Sequence, residues 1–212
     1  MEHLRCVELD TDVQRLLLDA AWRVIDAGVS TGVRPDLEVS QFPAELQNRR
    51  SSFITLTRES KLRGCCGTVE AHQALIKDVA DNAWRTAFAD PRFEPLREPE
   101  YAGLRLEISV LSPLRRIDAN DQQQLLSNLE PGHHGLLICS GNARATFLPK
   151  VWDSLPEPEK FLQQLRAKAG MPLDRWPAQV EAFVYTAQLF GEKNPDLATT
   201  DKIQTGLASS KS

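Results

Sequence analysis

The chain has 212 residues, 42% hydrophobic and 25% charged, which suits one globular domain with a substantial core. Its formal net charge of −4 gives phosphate no general attraction, and no basic cluster offsets that average, so nucleic-acid binding is not expected. Apolar runs are short and broken by charges, and Met1 onward lacks the basic-then-apolar order of a signal peptide; the expectation is a cytoplasmic protein with no membrane segment.

Taken in order, Val13 to Ile25 carries Leu16, Leu17, Ala20, Ala21, Val24 and Ile25 at helical spacing. Asp10, Thr11 or Asp12 is available as N-cap, and Gly28 as the stop. Gly32 to Arg50 has two prolines and no sustained period, and reads as a connection with one short helical turn at Phe42 to Leu46. Ser52 to Arg58 alternates like a strand and leads into Leu62-Arg63-Gly64-Cys65-Cys66-Gly67-Thr68. Glycine there permits either a positive φ or a close approach to the backbone, and the stretch is expected to be a presented turn, with extended structure resuming at Thr68 and Val69. It is not a phosphate loop, because both the Gly-x-Gly-x-x-Gly spacing and a Lys-Ser/Thr pair are missing.

Gln73 to Phe88 spaces Leu75, Ile76, Val79, Ala80, Ala83, Trp84, Ala87 and Phe88 as a helix that ends before Asp90-Pro91. Leu104 to Leu111 alternates as a strand, and Pro113 stops it. Asp121 to Leu129 suggests a short helix. Leu136 to Cys139 and Ala143 to Leu148 flank Ser140-Gly141-Asn142, whose residue types suit a hairpin turn. Glu157 to Ala169 is a helix stopped by Gly170, and Val180 to Leu189 reads as a last strand. From Asn194 the apolar period is lost, so residues 194–212 are expected to form a loose tail on a domain of residues 1–193.

The stretch Leu62 to Thr68 resembles the signature heptad of the AMMECR-one domain family. Supporting stretches come in that family's order: Asp78 to Phe93, Leu106 to Leu114, Gly132 to Ile138, Thr146 to Asp153 and Phe161 to Gly170. The chain is similar to bacterial members, which include protein A of the AmmeMemoRadiSam system. Alternating helices and hairpins argue for α+β. The resemblance implies a two-lobed single domain, a mostly antiparallel sheet flanked by helices, with a cleft near the Leu62–Thr68 turn. It also implies partners, a Memo-like protein and a radical S-adenosylmethionine enzyme; it leaves the cofactor unassigned.

Four cysteines, Cys6, Cys65, Cys66 and Cys139, form no Cys-x-x-Cys pair, so no metal ligands are assigned and free thiols are expected. Cys65 matches the family cysteine. Cys66 stands where the family usually has isoleucine and is expected to pack as a small hydrophobe. Cys65 is the candidate nucleophile, needing a cation such as Arg63 to favour its thiolate, against the reading of a structural thiol. Candidate binding residues are Arg63, Gly64, Gly67, Thr68, Glu70, Asp90 and Arg92; Arg63 and the Asp90–Arg92 pair could equally fasten the protein to itself. Glu70 and Glu107 are candidate bases by type alone, and His133-His134 reads as a solvated loop pair rather than a metal site. Two functions follow: a binding or accessory component, or an enzyme using Cys65 with Arg63 as anion holder and the turn amides as oxyanion donors.

Overall fold

The computed structural model describes residues 8–177 and 179–193. Its helices are Thr11–Thr31 (α1), Ala44–Gln47 (α2), Leu75–Phe88 (α3), Glu98–Tyr101 (α4), Gln122–Ser127 (α5) and Pro158–Lys168 (α6), with 3-10 turns at Val39–Gln41 and Pro149–Asp153. Its strands are Ser52–Arg58 (β1), Lys61–Gly67 (β2), Leu104–Leu111 (β3), Arg115–Ile117 (β4), Gly135–Ser140 (β5), Ala143–Phe147 (β6), Glu181–Tyr185 (β7) and Ala187–Lys193 (β8). The fold is α+β, as expected, but the antiparallel sheet is two sheets of four strands, ordered β2-β1-β3-β8 and β4-β7-β5-β6. Among the described residues the chain divides into two compact units, Leu9–Val110 with residues 189–193, and Leu111–Gln188.

In the first unit, α1 begins at Asp10, whose carboxylate accepts the Val13 N–H at 2.9 Å. It does not stop at Gly28. The helix runs through that residue, which is glycine because a Cβ there would lie 2.2 Å from the Phe88 ring, and it ends at Gly32 in the left-handed region with φ 69°. Leu17, Ala21, Val24 and Ile25 of α1 and Leu75, Ile76, Val79 and Ala83 of α3 form one core with Ile54, Leu56, Leu106 and Ile108 of the sheet. Each fully buried aliphatic side chain contributes about 1.5–3 kcal/mol, so this layer of helices on a sheet supplies much of the unit's stability.

In the second unit, Leu136 and Ile138 of β5 and Ala182 and Val184 of β7 face Phe161, Leu162 and Leu165 of α6. Trp152 stacks on Phe161 with ring centroids 3.7 Å apart and donates Nε1–H to the His134 carbonyl at 2.7 Å. The expected last strand is in fact two, β7 and β8, one in each sheet, and β4 adds a strand the sequence pattern did not announce. Cys6 and the tail from Asn194 lie outside the described residues.

Candidate functional site

The heptad is a strand. The β1–β2 chain reversal sits earlier, at Glu59 and Ser60, whose φ of 51° and 63° supply the positive pair that a tight hairpin needs. Gly64 and Gly67 do not take positive φ; both are close-approach glycines. A Cβ on Gly64 would lie 2.4 Å from the Thr86 carbonyl oxygen of α3, and one on Gly67 would lie 2.2 Å from the Phe53 ring. Extended backbone ends at Gly67 instead of resuming at Thr68 and Val69.

The β1–β2 register pairs Leu56 with Gly64 and Thr57 with Leu62, leaving Arg63 as an extra residue at a bulge. A bulge re-aims its side chain. Arg63 meets both Glu100 oxygens with one guanidinium edge, Nε donating to Oε1 at 2.6 Å and Nη2 to Oε2 at 3.0 Å, and Nη2 also donates to the Glu94 carbonyl at 2.9 Å. Its side chain is 12% exposed. Arg63 is thus fastened within the protein, and Glu100, held below the usual carboxylate range by that guanidinium, is the partner sequence reading missed.

Beyond the bulge, β2 is the edge of its sheet. Thr68 turns its N–H inward, donating to the Ser52 carbonyl at 3.0 Å, and the antiparallel alternation from that pair sets the Cys66 backbone inward opposite Ile54 and the Cys65 backbone outward. Asp90 and Arg92 meet it there. The Asp90 Oδ2 accepts the Cys65 N–H at 2.9 Å, and Arg92 Nη2 donates to the Cys65 carbonyl at 2.9 Å. The two side chains also grip each other, Arg92 Nη2 to Asp90 Oδ2 at 2.7 Å and Nε to Oδ1 at 2.9 Å. Asp90 is 2% exposed and Arg92 53%; the hydrogen-bonded guanidinium holds the Asp90 carboxyl far below its ordinary range. Phe93 lies against both cations, 5.7 Å from Arg63 and 5.6 Å from Arg92.

On the inner face, α3 offers a polar stripe of Asp78, Asn82 and Thr86, all buried, four residues apart and therefore aligned. Asp78 accepts from the Ser52 N–H and hydroxyl, from Asn82, and from the Thr68 hydroxyl at less than ordinary length; burial pushes its carboxyl upward. The Thr86 hydroxyl accepts the Cys66 N–H at 3.1 Å and donates to the Ile54 carbonyl at 3.3 Å, bridging two residues that face each other in the ladder. Cys66 therefore points toward α3 as expected, yet it is half-buried, not enclosed, and burial followed by the charge of Asp90 pushes its thiol up.

Alternation sends the Cys65 side chain to the opposite face, so the adjacent thiols diverge, and among the described residues Cys65, Cys66 and Cys139 are not disulfide-bonded. Cys65 is half-buried and accepts from the Thr55 hydroxyl at 3.5 Å. Register places Cys65, Thr55 and Glu107 in one row across three strands. Glu70 is exposed, and its carbonyl lies 3.3 Å from His72 Nδ1. His134 is buried rather than solvated, with Nδ1 accepting the Glu130 N–H at 3.2 Å, whereas His133 is exposed. Burial lowers the His134 pKa. Among the described residues no three His, Cys, Asp or Glu side chains converge as a metal site, and no helix is long and apolar enough to cross a membrane.

Helices laid on one face of a sheet whose edge strand carries this clamped Gly-Cys-Cys-Gly run agree with comparison to known proteins. The AMMECR1 family model matches residues 18–190, and the chain belongs to that family. It is 32% identical over 160 residues to a protein of Methanopyrus kandleri, covering 71% of this chain and 75% of that one. A Methanosarcina barkeri protein is 31% identical over 193 residues, covering 87% and 93%. The crystal structure of the uncharacterized protein PH0010 from Pyrococcus horikoshii superposes with a TM-score of 0.80 at 28% identity, covering 87% of this chain and 93% of that one.

Proposed function

We propose that this protein is a cytoplasmic binding or accessory component, acting beside a Memo-like protein and a radical S-adenosylmethionine enzyme, rather than a stand-alone enzyme. One observation supports the binding role: the groups that a Cys65 enzyme would recruit are already committed to holding β2. Arg63 is engaged by Glu100, the Cys65 amide by Asp90 and the Cys66 amide by Thr86. An oxyanion donor must aim a free N–H at developing charge, and these two do not. What the strand presents is a surface with Cys65 beside Thr55. The named partners rest on the resemblance to bacterial AmmeMemoRadiSam proteins alone.

The experiment is co-elution of the full chain with a Memo-like protein and with a radical S-adenosylmethionine enzyme encoded in the same genome, using wild type and Cys65→Ser. A complex that survives Cys65→Ser is expected. Absence of any complex, with a turnover that Cys65→Ser abolishes, would favour the alternative in which Cys65 is the nucleophile. The contact in that reading's favour is the Thr55 hydroxyl on the Cys65 sulfur.

A further inference from the structure

We infer that the Asp90–Arg92 pair is an edge guard: it closes the free edge of β2 to strand addition and so keeps a second copy of this chain from pairing there. An exposed strand edge is a template for another strand, and proteins block it with charges, prolines, bulges or a covering segment. Within β2 the bulge at Arg63 protects only one end. From Gly64 to Gly67 the strand is uncharged, with small side chains and no proline, so the protection must come from outside it.

Asp90 and Arg92 supply it in the pattern a neighbouring strand would use. A carboxylate oxygen stands where that strand's carbonyl would accept the Cys65 N–H, and a guanidinium stands where its N–H would reach the Cys65 carbonyl, each at 2.9 Å. Asp90 is seated too deeply to be a passing surface contact. The excluded occupant is a second copy because β2 is complementary to itself. About a two-fold axis through Cys65, each copy's Cys65 N–H faces the other's carbonyl, and the glycines at positions 64 and 67 remove side-chain bulk from the new seam.

The test is sedimentation velocity of the full chain as wild type, Arg92→Gln and Asp90→Asn, with circular dichroism reporting folding. Wild type is expected to be indifferent to concentration at this edge. The guard variants should show a dimer fraction that rises with concentration, at least tenfold above wild type at equal loading. Mild oxidation should trap that dimer through a Cys65–Cys65 link, identified by peptide mapping. Folded variants that stay monomeric overturn the inference, as does a dimer whose link lies elsewhere or a wild-type dimer linked through Cys65. Should Asp90→Asn not fold, Arg92→Gln decides alone, since its side chain is half exposed and its loss leaves Asp90 in place.

Discussion

Two hairpins in this protein are built on opposite principles. The β5–β6 hairpin turns at Gly141, with φ 57°, and Asn142, between strands whose inner residues are apolar. Its glycine is where the chain reverses. The β1–β2 hairpin turns at Glu59 and Ser60, and its glycines lie inside the strand, where helix α3 and the Phe53 ring come too close for a Cβ. One hairpin is specified by its own turn chemistry; the other is held by side chains from outside, Asp90 and Arg92 at the edge, Glu100 at the bulge and the α3 stripe behind.

That contrast breaks first at Asp90. Asp90→Ala leaves the Cys65 N–H and the Arg92 guanidinium without their shared acceptor, and should cost about 3 kcal/mol in urea unfolding, on the scale of hydrogen bonds to a charged group lost by both donors. Asn142→Ala, at the exposed tip of β5–β6, should change stability by about 0.5 kcal/mol or less. Equal costs would abolish the distinction. Arg63→Ala should follow at about 2 kcal/mol, with partner binding per folded molecule unchanged, because it loses a bidentate carboxylate and a carbonyl.

Acid sharpens the same point. The Asp90 carboxyl is depressed, so its stabilisation is complete above the unfolded carboxylate pKa of about 3.9 and is lost as pH falls through the folded value. Asp78 has the opposite sign: its raised carboxyl costs stability at neutral pH, and acid relieves that cost. Urea midpoints from pH 7 to pH 3 should fall less in Asp90→Asn than in wild type, and more in Asp78→Asn. A wild-type acid limb left intact in Asp90→Asn contradicts the assignment.

The glycines give a smaller, paired effect. Gly64→Ala must displace backbone, since its Cβ would meet the Thr86 carbonyl oxygen at 2.4 Å, and should cost about 2 kcal/mol as overpacking does. Gly141→Ala meets open space and carries only the left-handed φ, a cost of about 1 kcal/mol. Thermal unfolding of both variants ranks them.

Much of this was legible, and the misses share a cause. The strand over Leu104–Leu111 and helix α6 followed their apolar periods, because one face of each is buried throughout, with Leu104, Leu106, Ile108 and Val110 setting the pattern in the strand. The heptad broke the rule that glycine punctuates: its glycines answer to Thr86 and Phe53, and contacts from distant sequence leave no local mark. The stripe of Asp78, Asn82 and Thr86 was readable, being polar residues at four-residue spacing on a helix whose other inward positions are apolar. Glu100 was not, since nothing near it in the chain points to Arg63. Val180 to Leu189 read as one strand because Thr186, where the chain passes between sheets, is itself a β-former.

The smallest expected effect lies within β2, in its two thiols. Alternation sends Cys65 to the face shared with Thr55 and Cys66 toward α3, where burial and Asp90 raise the Cys66 thiol. Thiolate fraction and access set alkylation rate, so iodoacetamide with peptide mapping of the native chain should modify Cys65 several times faster than Cys66. Cys66→Ile places a larger aliphatic side chain at a half-buried position that faces α3. It should shift stability by no more than about 1.5 kcal/mol, the scale of tolerated hydrophobic swaps. Cys65→Ser should remove the fast-reacting site while leaving the hairpin folded, because its clamp grips the Cys65 backbone and not its sulfur. Equal, slow labelling of both thiols would show that the two faces of β2 are equally closed, and that the strand presents no thiol at all.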